Sequence, residues 1–121
     1  MIRLIIFVSI LILLPNLTFA KMNYFSEGLK YFKNKEFDKA KFKFEQDIVF
    51  NPKNEKAYLY LSKIFNSREN KDLEEKNLKT VILLNPRNEE ATYNLAKLKL
   101  ESSDFKGSKE LIDKLLIFCK E

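Results

Sequence analysis

One segment of the sequence occurs twice, and its spacing is the strongest constraint on the fold. Residues 51–61 read NPKNEKAYLYL, and residues 85–95, which lie 34 positions further along, read NPRNEEATYNL. Repeats of about 20 to 50 residues are typical of arrays in which similar units stack on one another. If Pro52 and Pro86 occupy the same position of successive units, three units span 21–54, 55–88 and 89–121, and the last is one residue short.

The residues before the first unit form a separate segment. Arg3 precedes a mostly apolar run, 4–14, and the small residue Ala20 follows it. This layout is typical of a secretory signal peptide, so we predict cleavage after Ala20, which divides the chain into a 1–20 leader and a 21–121 repeat domain. An uncleaved membrane anchor is the alternative, although the run is shorter than the roughly 20 residues that cross a bilayer. We expect an exported protein, periplasmic in a bacterium, or a membrane-anchored one under the alternative.

The composition argues against several classes of function. The chain has no His, no Trp and one Cys, which excludes His-based catalytic groups, zinc sites and a disulfide framework. Its net charge of +5 comes from interleaved basic and acidic residues without a basic block, which argues against a nucleic-acid-binding arm. We therefore expect that the protein is not an enzyme and that it has no cofactor, no metal site and no nucleic-acid partner.

Within each unit, apolar residues recur at three- and four-residue steps on two consecutive segments, which predicts a helical hairpin. The predicted first helices are 23–34, 55–67 and 89–102, and the predicted second helices are 37–50, 71–84 and 105–118. Asn51 and Asn85 are expected to end second helices, because the prolines after them disfavour a continuing helix. A single hairpin cannot bury its apolar face, so stacked hairpins must supply the core. The predicted fold class is all-α, an α-solenoid of three hairpins.

Several positions of the units carry the signature of a known family. In the first unit they are Tyr24, Gly28, Tyr31, Phe37, Ala40, Phe44 and Pro52. Together with the period, this series resembles the tetratricopeptide repeat family, whose units are helical hairpins. The third unit departs from the pattern at Thr92, Lys99 and Lys120 and resembles a terminal unit. Asp47 and Glu74 stand where the pattern has small residues, and we expect them to pair with lysines or to be exposed.

The resemblance implies a binding surface, because the first helices of this family line a groove that receives an extended or helical peptide. The matching positions here are Phe25, Leu29, Phe32, Leu59, Lys63, Asn66, Tyr93, Lys97 and Leu100. Lys63 and Lys97 share one register and would meet an acidic group of a ligand, or they are ordinary solvated lysines. For the three residues of the first unit, the alternative is packing in the core.

Some chaperone adaptors of this family hold the acidic C-terminus of a ligand with lysine, asparagine and arginine side chains. The matching positions here are Phe25, Leu29, Tyr60, Glu90 and Asn94. Only Asn94 suits that role, and Glu90 would repel a carboxylate. The resemblance therefore implies a more apolar groove and no carboxylate clamp.

The last predicted helix has an apolar edge of its own, formed by Leu111, Ile112, Leu115 and Phe118. Helical arrays usually end in a polar cap, so this edge would be available to a second copy of the chain or to a partner subunit. Cys119 lies beside it and is expected to be a small buried residue, with an intermolecular disulfide as the alternative.

These features favour a binding protein. We expect an exported scaffold or adaptor that holds a peptide or protein subunit in its groove, in cell-envelope assembly or secretion. The alternative is a membrane-tethered adaptor that retains its leader, and we expect membrane contact only in that case.

Overall fold

A computed structural model describes residues 23–120, and all regular secondary structure in this part of the chain is helical. Six helices follow one another: α1 (Tyr24–Lys33), α2 (Phe37–Phe50), α3 (Glu55–Ser67), α4 (Lys71–Leu84), α5 (Glu89–Glu101) and α6 (Phe105–Phe118). Every predicted helix is confirmed, and no end differs from its predicted position by more than one residue.

The helices form three hairpins, α1–α2, α3–α4 and α5–α6, which stack in chain order through α2 against α3 and α4 against α5. The predicted all-α solenoid is therefore confirmed. None of the helices within 23–120 combines the length and apolar character that crossing a bilayer requires. The predicted signal peptide, 1–20, lies outside the described residues.

Short polar side chains determine where most of the helices begin. The N-caps of α1, α4, α5 and α6 are Asn23, Asn70, Asn88 and Asp104. Each accepts a hydrogen bond from the backbone N–H three residues later, which satisfies one of the donors left free at a helix start. Asn51 and Asn85 are the C-caps of α2 and α4, as predicted from the prolines that follow them.

The turn inside each hairpin has the same backbone conformation. Lys35, Glu69 and Ser103 lie 34 residues apart and have φ angles of 60°, 57° and 61°. A side chain in this left-handed region costs about 1 kcal/mol, because its Cβ atom crowds the backbone. Beyond each turn, a backbone N–H bonds to a carbonyl five residues earlier, for example Glu36 to Tyr31 at 2.9 Å. The structural repeat therefore extends to turns whose sequences differ.

Small residues bring the two helices of each hairpin close together. Gly28, Ser62 and Ala96 occupy one register of the first helices, and all three are buried. A Cβ atom built on Gly28 would lie 2.6 Å from Cε1 of Phe44. Ordinary contacts between carbon atoms are about 3.5–4.0 Å, so the approach of α1 to α2 requires glycine at this position.

Two buried clusters form the core, and each crosses a boundary between units. The first consists of Ala40, Phe44, Ala57, Leu61, Ile64 and Phe65. The second consists of Leu59, Leu78, Val81, Ala91, Leu95 and Leu98. Full burial of a side chain such as Ile64 contributes about 1.5–3 kcal/mol. Because α3 supplies residues to both clusters, the middle hairpin is stabilised from two sides, and the array depends on neighbouring units.

Two buried carboxylates hold neighbouring segments through asparagine side chains. Asp47 is 3% exposed and accepts hydrogen bonds from Nδ2 of Asn51 at 3.1 Å and of Asn54 at 2.6 Å. Glu74 is 6% exposed and accepts from Nδ2 of Asn66 at 3.1 and 3.2 Å. The expectation that these carboxylates are exposed or paired with lysines is therefore wrong. An asparagine bonds to a buried carboxylate without bringing a second charge, and its desolvation cost, into the interior.

The outer side of α6 is less covered than the inner helices. Ile112 is exposed, and the other three residues of the predicted C-terminal edge are half-buried. Cys119, the C-cap of α6, is also exposed. The expectation that Cys119 is buried is wrong, because no helix of the described chain packs on that side of α6.

Candidate partner-binding surface

The predicted groove residues all belong to α1, α3 and α5, and the side of the molecule that these helices form is the first-helix face. On α1 and α3 it contains the aromatic residues Phe25, Phe32 and Tyr60, which pack on the buried Phe44 of α2. The Tyr60 ring centroid lies 6.0 Å from that of Phe25, 5.0 Å from that of Phe32 and 5.4 Å from that of Phe44. Aromatic pairs at such distances contribute about 0.5–1.5 kcal/mol beyond their burial.

These aromatic residues decide how the first unit contributes to the surface. Phe25, Leu29 and Phe32 are half-buried and pack against the first core cluster. Most of their side-chain surface therefore packs in the core, which was the alternative to a groove role, and only their outer parts remain accessible. Tyr60 connects them to the second unit.

The Lys63 side chain already makes two contacts within the protein. Its Nζ atom lies 2.7 Å from Oε1 of Glu90 and 4.8 Å from the centroid of the Tyr60 ring. The ion pair joins α3 to α5, across the boundary between the second and third units. Both groups are partly exposed, so the pair contributes at most about 1 kcal/mol. Lys63 is thus already partnered and would have to leave Glu90 to bind an acidic ligand group.

A small polar pocket of about 120 Å³ opens between α3 and α5. Its lining consists of Ser62, Lys63, Asn66, Glu74, Asn94, Lys97, Leu98 and Glu101. The volume suits a few water molecules or one small side chain of a ligand. Two lysines and two glutamates balance one another around it. The structure therefore brings Lys63, Asn66 and Lys97 together as predicted, but in a polar setting, whereas the resemblance implied a more apolar groove.

Glu74 is the buried charge of this pocket. Burial raises the pKa of its carboxyl above the ordinary value, the hydrogen bond from Asn66 partly opposes that effect, and the negative charge of Glu101 adds to it. Lys97 and Lys71 lower the pKa to a smaller extent. A carboxyl group with a raised pKa binds a proton more readily than an exposed carboxyl group does.

The exposed part of the first-helix face lies on α5. Tyr93, Lys97 and Leu100 follow one another at helical spacing and form one stripe. Tyr93 is 61% exposed and Leu100 is 53% exposed. Lys97 is exposed too, and its Nζ atom lies 3.9 Å from Glu101, a loose ion pair. These three predicted residues therefore present large accessible side chains beside the polar pocket.

Leu59 is the predicted groove residue that the structure places elsewhere. It is buried in the second core cluster, where it packs with residues of α4 and α5. Tyr60 and Asn94, which were considered from the sequence only as positions of a carboxylate clamp, also belong to the face, and Glu74 of α4 lines its pocket. Tyr60 stands one turn before Lys63 and Asn94 one turn before Lys97, so helical spacing from the two lysines was the signal that pointed to them.

Comparisons with known proteins support the fold. No protein-family model and no curated protein sequence matches the chain. Among solved structures, MamA aligns with a TM-score of 0.76 and 18% identity over 80% of this chain and 57% of its own. The first TPR of Spaghetti (RPAP3), bound to the HSP90 peptide SRMEEVD, aligns with a TM-score of 0.71 and 16% identity over 78% of this chain and 75% of its own.

The Sgt2 TPR domain from Aspergillus fumigatus aligns with a TM-score of 0.69 and 19% identity over 81% of this chain and 65% of its own. The chain thus spans a little over half of the MamA chain and about two thirds of the Sgt2 chain. At these identities the likeness concerns the fold, and the fold of this chain is that of tetratricopeptide repeats.

Proposed function

We propose that this chain with a tetratricopeptide-repeat fold is an exported, non-catalytic scaffold that binds a peptide or a protein subunit on its first-helix face. The observation that carries the proposal is the exposed stripe of α5, in which two large apolar side chains flank Lys97 beside a polar pocket. Exposed aromatic residues next to buried polar groups are a common basis of protein recognition. Cell-envelope assembly or secretion is the setting that we propose, because of the apolar leader in the sequence.

The charged residues of the first-helix face determine which charge a ligand can carry. Lys63 is paired with Glu90, and Glu74 and Glu101 add negative charge at the pocket. A terminal carboxylate would meet these groups unfavourably. The ligand should instead place apolar side chains on Tyr93 and Leu100 and a neutral polar or basic group in the pocket.

The comparisons support a peptide ligand in general terms. The first TPR of Spaghetti is bound to an HSP90 peptide in its solved structure, and that peptide ends in the acidic sequence EEVD. We propose that the present chain also binds a peptide, on its first-helix face, and that its ligand is not acidic, because Glu74 and Glu101 lie at the pocket.

The test begins with a partner captured from an envelope extract by the chain 21–121. Tyr93→Ala should weaken binding of that partner by about 30-fold or more, since truncating a central aromatic residue often costs about 2 kcal/mol. Lys63→Ala should cost less than about fivefold, because Lys63 is already paired within the protein. Phe42→Ala is the matched control, because Phe42 is similarly exposed (58%, against 61% for Tyr93) but lies on a second helix.

Two outcomes would count against the first-helix face. Equal binding by Tyr93→Ala, Phe25→Ala and the parent chain would exclude it, and loss of binding on changes at Leu111 or Phe118 would assign the interaction to the C-terminal edge. The mass of the protein recovered from the envelope separately tests whether the leader is cleaved, and an intact leader would favour the membrane-tethered alternative.

A further inference from the structure

Glu74 places a nearly buried carboxylate in the lining of the polar pocket between α3 and α5. The residue belongs to α4 and is 6% exposed. No lysine or arginine among residues 23–120 forms an ion pair with it, and its hydrogen bonds come from one neutral side chain. Buried charges in proteins are ordinarily paired, so a carboxylate without a cation at the wall of a pocket calls for a partner from outside the chain.

Each lysine near this carboxylate contacts a different acidic side chain. From α3, Nζ of Lys63 lies 2.7 Å from Glu90. From α5, Nζ of Lys97 lies 3.9 Å from Glu101, and from α4 itself, Nζ of Lys71 lies 3.7 Å from the same residue. Lys97 and Lys71 favour the charged form of the pocket carboxyl, but burial opposes that charge more strongly and raises its pKa.

The carboxylate also has unused capacity for hydrogen bonds. Both of its oxygens accept from a single nitrogen, Nδ2 of Asn66, at 3.1 and 3.2 Å, whereas an ionised carboxylate offers about four acceptor positions. Because the Asn66 nitrogen is the donor, its Oδ1 atom is the one left to accept. Asn94, which also lines the pocket, makes no side-chain hydrogen bond with residues 23–120. One charged and two neutral side chains therefore offer acceptor atoms to a ligand.

We propose that this pocket binds a primary ammonium group, with Glu74 as its counter-ion and the amide oxygens of Asn66 and Asn94 as further acceptors. An ammonium group donates three hydrogen bonds from one compact centre, whereas a guanidinium group is larger and planar. A pocket of about 120 Å³ suits the smaller cation, and Leu98 offers apolar contact to its aliphatic stem. The ammonium group would belong to the peptide of the proposed function, on which this inference rests, either as a lysine side chain or as the amino terminus.

Binding of a cation here is linked to the protonation of Glu74. A cation beside the carboxylate favours its ionised form and lowers its pKa, which opposes the effect of burial. The affinity for an ammonium group should therefore rise as the pH rises through the pKa that Glu74 has in the free protein. An alkylammonium ion stays charged over this range, so the change in affinity reports the carboxyl group.

Nuclear magnetic resonance can measure this linkage in the full chain. With ¹³C in the glutamate carboxyl groups, the Glu74 resonance is identified by its loss in Glu74→Gln, and it reports the titration of that residue alone. n-Butylammonium chloride, which mimics a lysine side chain, should lower the pKa of Glu74 by about one unit or more at saturation, as an opposite charge in contact does. n-Butanol has no charge and tetramethylammonium has no N–H donor, so neither should produce this change at equal concentration.

Glutamine variants test which carboxylate is the counter-ion. Glu74→Gln keeps an oxygen that accepts from Asn66 but removes the charge, so n-butylammonium should bind about tenfold more weakly at pH 7. The side-chain amide resonances of Asn94 provide this measurement without a titrating group. Glu75→Gln is the matched control, because Glu75 is the next residue of α4 and pairs with lysines outside the pocket. It should bind n-butylammonium as the parent chain does.

Glycine amide, which mimics the amino terminus of a peptide, distinguishes the two sources of the ammonium group. A larger decrease in the pKa of Glu74 with n-butylammonium would assign the pocket to a lysine side chain. A larger decrease with glycine amide would assign it to an amino terminus.

Three results would overturn the proposal. They are equal affinity of Glu74→Gln and the parent chain for n-butylammonium, an equal change in the pKa of Glu74 with tetramethylammonium, and binding of n-butanol as tight as that of n-butylammonium. The titration contains no partner. A captured partner that binds Tyr93→Ala as it binds the parent would therefore contradict the proposed function and leave the ammonium site unaffected.

Discussion

Replacing Gly28 with alanine tests whether α1 and α2 pack too closely to accommodate any side chain at this position. The added Cβ atom would lie 2.6 Å from Cε1 and 2.7 Å from Cδ1 of Phe44, about 1 Å inside ordinary contact. The Phe44 ring is fully buried and lies 5.7 Å from Phe25 and 5.4 Å from Tyr60. It cannot retreat without moving those rings, so the collision must be relieved by separating α1 from α2.

Two opposing effects set the size of the change. Overpacking of this kind costs about 1–3 kcal/mol, whereas alanine in place of glycine in a helix gains about 0.5–1 kcal/mol. We expect a net destabilisation of up to about 2 kcal/mol. Gly107→Ala is the comparison variant, because the atoms that its Cβ would meet belong to the half-buried Asp104 carboxyl group and not to a buried ring. That carboxyl group is the N-cap that accepts from the Gly107 N–H, so the variant should cost at most the cap, about 0.5–2 kcal/mol, and its cost should not depend on Phe44.

Urea unfolding of the chain 21–121, followed by circular dichroism, measures both variants. Phe44→Leu removes part of the ring, so Gly28→Ala should cost at least about 1 kcal/mol less in that background than in the parent. Additivity of the two substitutions within about 0.5 kcal/mol would refute the collision as the cause. A stabilised Gly28→Ala variant would refute the close approach itself.

Three further expectations concern the leader and the buried carboxylates. Deletion of residues 1–20 should leave a folded helical protein, and circular dichroism that indicates sheet or coil would contradict this. The raised pKa of Glu74 means that the folded state binds a proton at this carboxyl group more tightly than the unfolded state does. The stabilisation from this protonated group is present below the ordinary pKa of 4.5 and is lost as the pH rises through the higher folded pKa. Glu74→Gln should remove this loss, so urea unfolding should show a higher stability at pH 7. Asp47→Ala leaves two asparagine donors without their acceptor and should lower the free energy of unfolding by about 1–3 kcal/mol, whereas Asp38→Ala, at an exposed ion pair, should cost less than about 1 kcal/mol.

The helices were predictable because local signals and the repeat agree. The asparagine–proline pairs fix the ends of α2 and α4, and the 34-residue period transfers those ends to units with weaker signals. The requirement for a small residue at Gly28 also followed from the period. Such features depend on residues close in sequence, and a single chain contains enough information to locate them.

The contacts that connect units were not predictable in the same way. Helical periodicity assigns Leu59 to a face of α3, but whether that face is covered depends on where α4 and α5 lie. The asparagine partners of Asp47 and Glu74 lie a turn or more away, and their choice depends on the geometry of the bend between helices. Exposure of Cys119 likewise depends on what packs on α6 and not on its apolar neighbours in sequence.

Each helix of this array packs mainly against the helices that precede and follow it in the chain. Contacts of this kind join residues that are close in sequence, so little loop entropy is lost before they form, and proteins rich in them fold on a timescale of microseconds to milliseconds. No distant segment has to arrive before a unit can close on its neighbour. A chain delivered end first, as through a translocation channel, can therefore assemble hairpin by hairpin as it emerges, and the boundary clusters are completed in the order in which the units appear.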